Sequence, residues 1–201
     1  MQGLTRTTDY KIQRLSELLE LQNGEEYFNS IVKAFVSLNE DVEYFLKEKA
    51  VQATKLKTAT TYLVYVQCAD LEIDLVGYFS LAMKMLTFKK VALSKTSQKV
   101  ISRFGCYDDV STSYLIPAVL IAQFGRNFSE ESLSLSGADL MAITLNQVRT
   151  ALAFLSGCTV FLESEKKQKL ITFYTQHGFT ALDSKVLSKN RKELVQLYKF
   201  L

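Results

Sequence analysis

Few side chains of this sequence can do chemistry, and the stretch Leu170-Ile-Thr-Phe-Tyr-Thr-Gln-His-Gly-Phe179 gathers two of them. Tyr174 carries a hydroxyl able to serve as a general acid. Its ordinary reading is a half-buried aromatic on the helical stripe Leu170, Phe173, Tyr174, His177. His177 is the single histidine and falls in the last helical turn, where the dipole favours a cation. The carboxylates able to accept a proton are Glu163, at the end of the preceding strand, and Asp41 and Glu43 on an earlier helix. A solvated surface group is the ordinary reading of each. Cys68 and Cys158 lie in apolar strands and read as core residues. Cys106 has no identifiable base partner. Three cysteines, odd in number and widely spaced, without clustered histidines, argue against a disulfide framework or a metal site and for a reducing cytoplasm.

The elements that must position these groups follow from periodicity. Apolar residues of Asp9–Gln22 form one helical stripe, capped by Thr8 and stopped by Asn23-Gly24. Residues Tyr27–Ser37, rich in β-formers, predict the first strand. Asn39 caps an amphipathic helix over Glu40–Leu56, followed by strands Thr61–Cys68 and Ile73–Ala82. Residues 87–113 carry Lys89, Lys90, Lys95, Lys99, Asp108 and Asp109 and read as an insertion beside the core. The long apolar run Tyr114–Gly125 predicts the central strand. A polar loop, Arg126–Ser136, leads to a largely buried helix, Gly137–Leu155. Then come a strand at Thr159–Leu162, the helix of Tyr174 stopped at Gly178, and two strands, Phe179–Asp183 and Leu194–Phe200, expected to pair antiparallel.

A chain of 201 residues, 48% hydrophobic, can bury one sizeable core. A single domain over 1–201 is expected, with 1–24 as an N-terminal helical extension. No apolar run reaches the roughly 20 residues of a membrane span, so no membrane contact is expected. Residues 1–9 lack the apolar core of a signal peptide. The net charge of +3 permits contact with nucleic acid without arguing for it. Basic groups at Lys166, Lys167, Lys169 and at Lys185, Lys189, Arg191, Lys192 read as solvated faces.

Phe173-Tyr174 followed by Gly178-Phe179, after the strand Thr159–Leu162, resembles the closing motif of the GNAT superfamily of acetyl-CoA-dependent N-acetyltransferases. Further local matches keep the family's order. Asn39–Leu46, Thr61–Val64, Val76–Leu81 and Pro117–Ile121 are similar to segments of the branch whose toxins acetylate aminoacyl-tRNA. Together they cover most of residues 28–183. The resemblance implies a mixed α/β fold of the GNAT type, a mostly antiparallel sheet flanked by helices. It implies acetyl-CoA as cofactor, its pantetheine arm along the edge Ala122-Gln123-Phe124-Gly125-Arg126. Its pyrophosphate would lie at the start of the next helix, on Ser134, Ser136, Gly137 and Ala138. There the family pattern Gln/Arg-x-x-Gly-x-Gly/Ala is degenerate: Ser132 stands at the first position and Leu135 at the middle glycine. In the same comparison Tyr174 is the acid that protonates the departing thiolate; Glu163 is a candidate base by its place at the strand end.

The activity so implied is acetyl transfer to a primary amine: a small molecule, a protein amine or the α-amine of aminoacyl-tRNA. A homodimer is the expected assembly. The rival reading is a non-catalytic binding or regulatory protein that has kept the scaffold and lost acetyl-CoA.

Overall fold

In the computed structural model of the protein the described residues are 10–67, 73–129, 135–187 and 193–201. Strand β1 (Tyr10–Arg14) pairs antiparallel with β2 (Thr60–Gln67), Ile12 opposite Val64. Over the described residues 10–22 this corrects the helix expected there; residues 1–9, with the expected Thr8 cap and the start of the expected extension, lie outside the described residues. Tyr10, Ile12 and Arg14 also fit a period of two, and a neighbouring strand decides between the two patterns. Only Leu15–Leu19 (α1) is helical, burying Leu15 and Leu18. The expected strand Tyr27–Ser37 is corrected as well: Gly24–Val32 forms helix α2, with Phe28 and Val32 buried one turn apart. Here the (i, i+4) apolar pair, with Glu25 and Glu26 in the first turn, outweighs β-propensity.

The helix expected over Glu40–Leu56 is present in three segments, α3 (Glu40–Tyr44), a π turn (Phe45–Lys49) and α4 (Ala50–Lys55). Asn39 caps it, its Oδ1 accepting from the Asp41 N–H at 3.0 Å. Strand β3 (Ile73–Lys89) runs well past the expected end at Ala82. A 3₁₀ turn (Lys90–Ala92), helix α5 (Lys95–Ile101) and β4 (Cys106–Asp108) occupy the expected insertion. Next come β5 (Ser113–Arg126), α6 (Gly137–Leu155), β6 (Thr159–Glu165), α7 (Gln168–Gln176), β7 (Thr180–Leu187) and β8 (Glu193–Phe200).

The strands form an eight-stranded, mostly antiparallel sheet in the order β1-β2-β3-β5-β6-β8-β7, with β4 beside β5. The β5–β6 pair is parallel, whereas β6–β8 and β7–β8 are antiparallel. By internal contacts the chain divides into two compact units, Met1–Ser80 with Gln123–Leu140 and Leu81–Ala122 with Met141–Leu201. The first is built on Leu15, Leu18, Phe28, Phe35, Leu46, Leu63 and Tyr78. The second is built on Leu86, Phe88, Ile101, Ile116, Ala118 and Phe161. Phe88 and Ile101 thus anchor the 87–113 segment in a core, because each places an apolar side chain among β5 and β6 residues.

Candidate active site

Ala122, Glu163 and Tyr174 belong to the second unit, and Gln123–Arg126, Ser136, Gly137 and Ala138 to the first. Ser134 lies outside the described residues.

Helix α7 ends at His177, followed by Gly178 at φ 82°. That left-handed backbone favours glycine, and a Cβ there would also meet the Lys199 Nζ at 3.0 Å. The turn is closed by Phe179 N–H donating to the Tyr174 carbonyl at 3.1 Å. The Tyr174 ring packs against Phe173 and Phe179, with centroids 5.2 and 6.1 Å apart. Burial pushes its hydroxyl up to about 12, because removal from water penalises the phenolate. The phenol therefore stays protonated throughout the neutral range. His177 is a capping residue. Its Nδ1 lies 2.7 Å from the Phe173 carbonyl, and its own carbonyl accepts from Lys199 Nζ at 2.7 Å.

Glu163 is exposed on β6 and accepts from Gln196 Nε2 at 2.9 Å, the residue opposite it on β8. No described contact joins it to Tyr174. Glu43, one of the two carboxylates on the earlier helix that could accept a proton, is used structurally. It accepts from Lys47 Nζ at 2.8 Å and from the Ser37 N–H at 2.9 Å. The Lys47 ammonium, followed by that backbone bond, holds its carboxyl below the usual range.

The ladder between β5 and β6 holds Val119–Ile121 against Val160–Leu162, and β5 continues five residues to Arg126. Within the first unit, Arg126 Nη1 donates to the Leu135 carbonyl at 2.7 Å, and its guanidinium lies 4.5 Å from the Phe128 ring centroid. Gly125 is needed for close approach: a Cβ there would sit 3.1 Å from Tyr78 Cε1 and closer still to Val42. The Tyr78 hydroxyl donates to the Val42 carbonyl, tying β3 to α3.

Ser136 has a duty not foreseen from the sequence. Its Oγ accepts from the Asp139 N–H at 3.0 Å and donates to the Asp139 carboxylate. This is an N-terminal cap by the serine side chain, whose hydroxyl is in turn bonded to the Asp139 carboxylate. A carboxylate consequently stands in the first turn of α6, where it competes with any anionic ligand for the same positive end of the helix. Asp139→Asn should keep most of the cap and raise affinity for an anion at this helix by about two- to fivefold. Titration with ADP reads that change.

Asn127 is the second residue that sequence reasoning missed. Its Nδ2 donates to the Leu75 carbonyl at 2.9 Å, and its Oδ1 accepts from the Val36 N–H at 3.1 Å and the Ser129 N–H at 3.0 Å. One side chain thereby joins β3, the loop after α2 and the loop after β5. Asn127→Ala is expected to lower stability by about 2–3 kcal/mol, since three bonds are lost and partners are left unsatisfied. Urea denaturation measures it.

Among the described residues no group of His, Cys, Asp or Glu could hold a metal ion, and no helix is long and apolar enough to cross a membrane. No family model and no curated protein matches the sequence. Solved structures do match. AtaT complexed with acetyl-methionyl-tRNAfMet is similar at a TM-score of 0.63 and 21% identity, over 96% of this chain and 95% of that one. A Tyr-to-Phe variant of KacT gives 0.64 and 19%, over 95% and 94%. AtaTR bound with acetyl-CoA gives 0.57 and 18%, over 96% and 93%. At these identities the likeness speaks for the fold, and the chain has the GNAT fold of AtaT and KacT.

Proposed function

We propose that the protein transfers an acetyl group from acetyl-CoA to a primary amine, with the α-amine of aminoacyl-tRNA as the acceptor. The observation that carries this reading is the placement of Tyr174 by the α7–Gly178–Phe179 turn on a GNAT fold. The acceptor rests on the similarity to AtaT, whose structure holds acetyl-methionyl-tRNAfMet.

The residues present fit acetyl-CoA unequally. The β5 backbone over Ala122, Gln123, Phe124, Gly125 and Arg126 suits the amide-bearing arm through its main-chain groups, while the space beside Gly125 is filled by Val42 and Tyr78. Gly137 and Ala138 open α6 and bring main-chain N–H groups, but Ser136 is bonded to Asp139. Binding should therefore rest more on the β5 edge than on the helix start. Bound there, acetyl-CoA would supply an activated thioester and a thiol leaving group.

Tyr174 would donate a hydrogen bond to the sulfur as charge develops on it. Complete proton transfer to a thiolate of ordinary pKa, near 8.5, from a phenol near 12 is uphill by about three to four units. Its contribution is therefore a neutral donor held in place, and protonation is completed from solvent or from the amine. Backbone N–H groups of the β5 edge would hold the acetyl oxygen. Glu163, exposed and already bonded to Gln196, would act as base through water.

The homodimer and the cytoplasmic setting belong to the same proposal. Cys106 and Cys158 are free thiols, compatible with a reducing compartment. The Asp139 cap favours a second reading, a scaffold that no longer uses acetyl-CoA. Calorimetric titration with acetyl-CoA separates the two, with Gly137→Trp obstructing the helix start. Micromolar binding weakened by that substitution supports transfer; no heat up to millimolar acetyl-CoA leaves the binding-protein reading.

A further inference from the structure

The segment between β3 and β5 concentrates charge. Residues 89–107 hold Lys89, Lys90, Lys95, Lys99 and Arg103 and no acidic residue. Those five positive charges exceed the +3 of the whole chain, so the other residues sum to 3 − 5 = −2. All five are exposed, and among the described residues no ion pair engages them. The following acid, Asp108, is turned to local use. Its carboxylate accepts from the Val110 and Ser111 N–H groups at 3.2 and 3.3 Å and from the Ser111 hydroxyl.

The backbone beneath these cations is fixed. Ser94 caps α5, accepting from the Ser97 N–H at 3.1 Å. Gln98 Nε2 donates to the Lys90 and Leu93 carbonyls at 3.3 and 3.1 Å, which binds α5 to the 3₁₀ turn. Ile101, fully buried, pins the helix to the core. Lys95 and Lys99 stand one turn apart, about 6 Å along the axis. A shallow groove beside them is lined by Lys95, Gln98, Lys99, Ser102 and Tyr114. Aromatic surface lies among the charges: Lys90 Nζ sits 4.8 Å from the Tyr107 ring centroid, and that ring packs on Tyr114 at 4.9 Å. Tyr107 and Phe104 remain 37% and 39% exposed, leaving ring surface on which a base could stack.

We infer that this face binds the phosphate backbone of RNA, with Lys89, Lys90, Lys95, Lys99 and Arg103 on phosphates and Tyr107 against a base. Cations on a fixed scaffold interleaved with exposed aromatics are the two parts of such a surface. The choice of RNA rests on the acceptor proposed above, where it would grip the tRNA that carries the amine; the phosphate chemistry stands without it.

The test is fluorescence anisotropy with labelled uncharged tRNA over a salt series, using Lys95→Glu/Lys99→Glu/Arg103→Glu and, as a control, Lys33→Glu. The wild type should show an affinity falling steeply with salt. The triple variant should bind at least about tenfold more weakly, with a log–log salt slope smaller by about two to three. Lys33→Glu should stay within about threefold, and circular dichroism should show the triple variant folded, as expected for exposed sites. Equal binding by wild type and triple variant overturns the inference, as does a wild type that binds phosphatidylserine vesicles or duplex DNA but no tRNA. Calorimetric binding of acetyl-CoA, followed in parallel, keeps the two proposals apart. Its absence alongside salt-sensitive tRNA binding that the triple variant loses defeats the transferase reading and supports this surface.

Discussion

Tyr174→Phe is expected to slow acetyl transfer by about a hundredfold or more, within the range general acids and donors contribute. The hydroxyl is the one polar atom that the substitution removes. Its ring neighbours Phe173 and Phe179 and the backbone bond from the Phe179 N–H do not depend on it. Affinity for acetyl-CoA should accordingly stay within about threefold, since what is lost is a bond that strengthens only as charge develops. Comparing single-turnover rates with calorimetric affinities makes the split visible. Equal loss of both would show that Tyr174 serves packing alone.

The same residue predicts a pH dependence of stability. Its folded pKa is raised to about 12 by burial, above the ordinary value near 10. A group raised in the folded state contributes stability that is present below its unfolded pKa and is lost as pH rises through the folded one. The stability of the wild type should therefore fall more between pH 10 and 12 than that of Tyr174→Phe. Urea midpoints of the two proteins measured across this range give the difference directly.

Phe35→Ala is the substitution with the largest expected cost in stability, about 3–5 kcal/mol. Phe35 is fully buried just beyond α2 and meets Tyr78 edge-on at a centroid distance of 5.6 Å. Tyr78 is in turn stacked on Phe45 in the π turn and bonded to the Val42 carbonyl. Removing Phe35 opens a cavity beneath the ring that flanks Gly125, so the β5 edge should lose order together with the core. A guanidinium or urea transition moved by less than about 1 kcal/mol would mean that the neighbours collapse into the space.

The parts legible in the sequence were those written in local signals. Gly178 and the histidine before it mark the end of α7 by backbone conformation alone. The apolar run of β5 marks a central strand because both its faces are covered. The N-terminal region misled because Tyr10–Arg14 is short enough to satisfy two periods, and its choice was made by β2, some fifty residues onward. In α2 a run of β-formers concealed a Phe28–Val32 pair one turn apart. The Ser136–Asp139 cap is legible in the Ser-x-x-Asp spacing, which puts the serine oxygen against the first-turn N–H. Asn127 carried no signal, since its partners Leu75 and Val36 lie 52 and 91 residues away.

The most direct test of the account is to incubate the purified protein with acetyl-CoA and a set of aminoacyl-tRNAs, then to look for acetylated aminoacyl ends by mass spectrometry. Acetylated product with the wild type, and about a hundredfold less with Tyr174→Phe, is the predicted result. No acetylated aminoacyl-tRNA from the wild type, or equal amounts from both proteins, would contradict it.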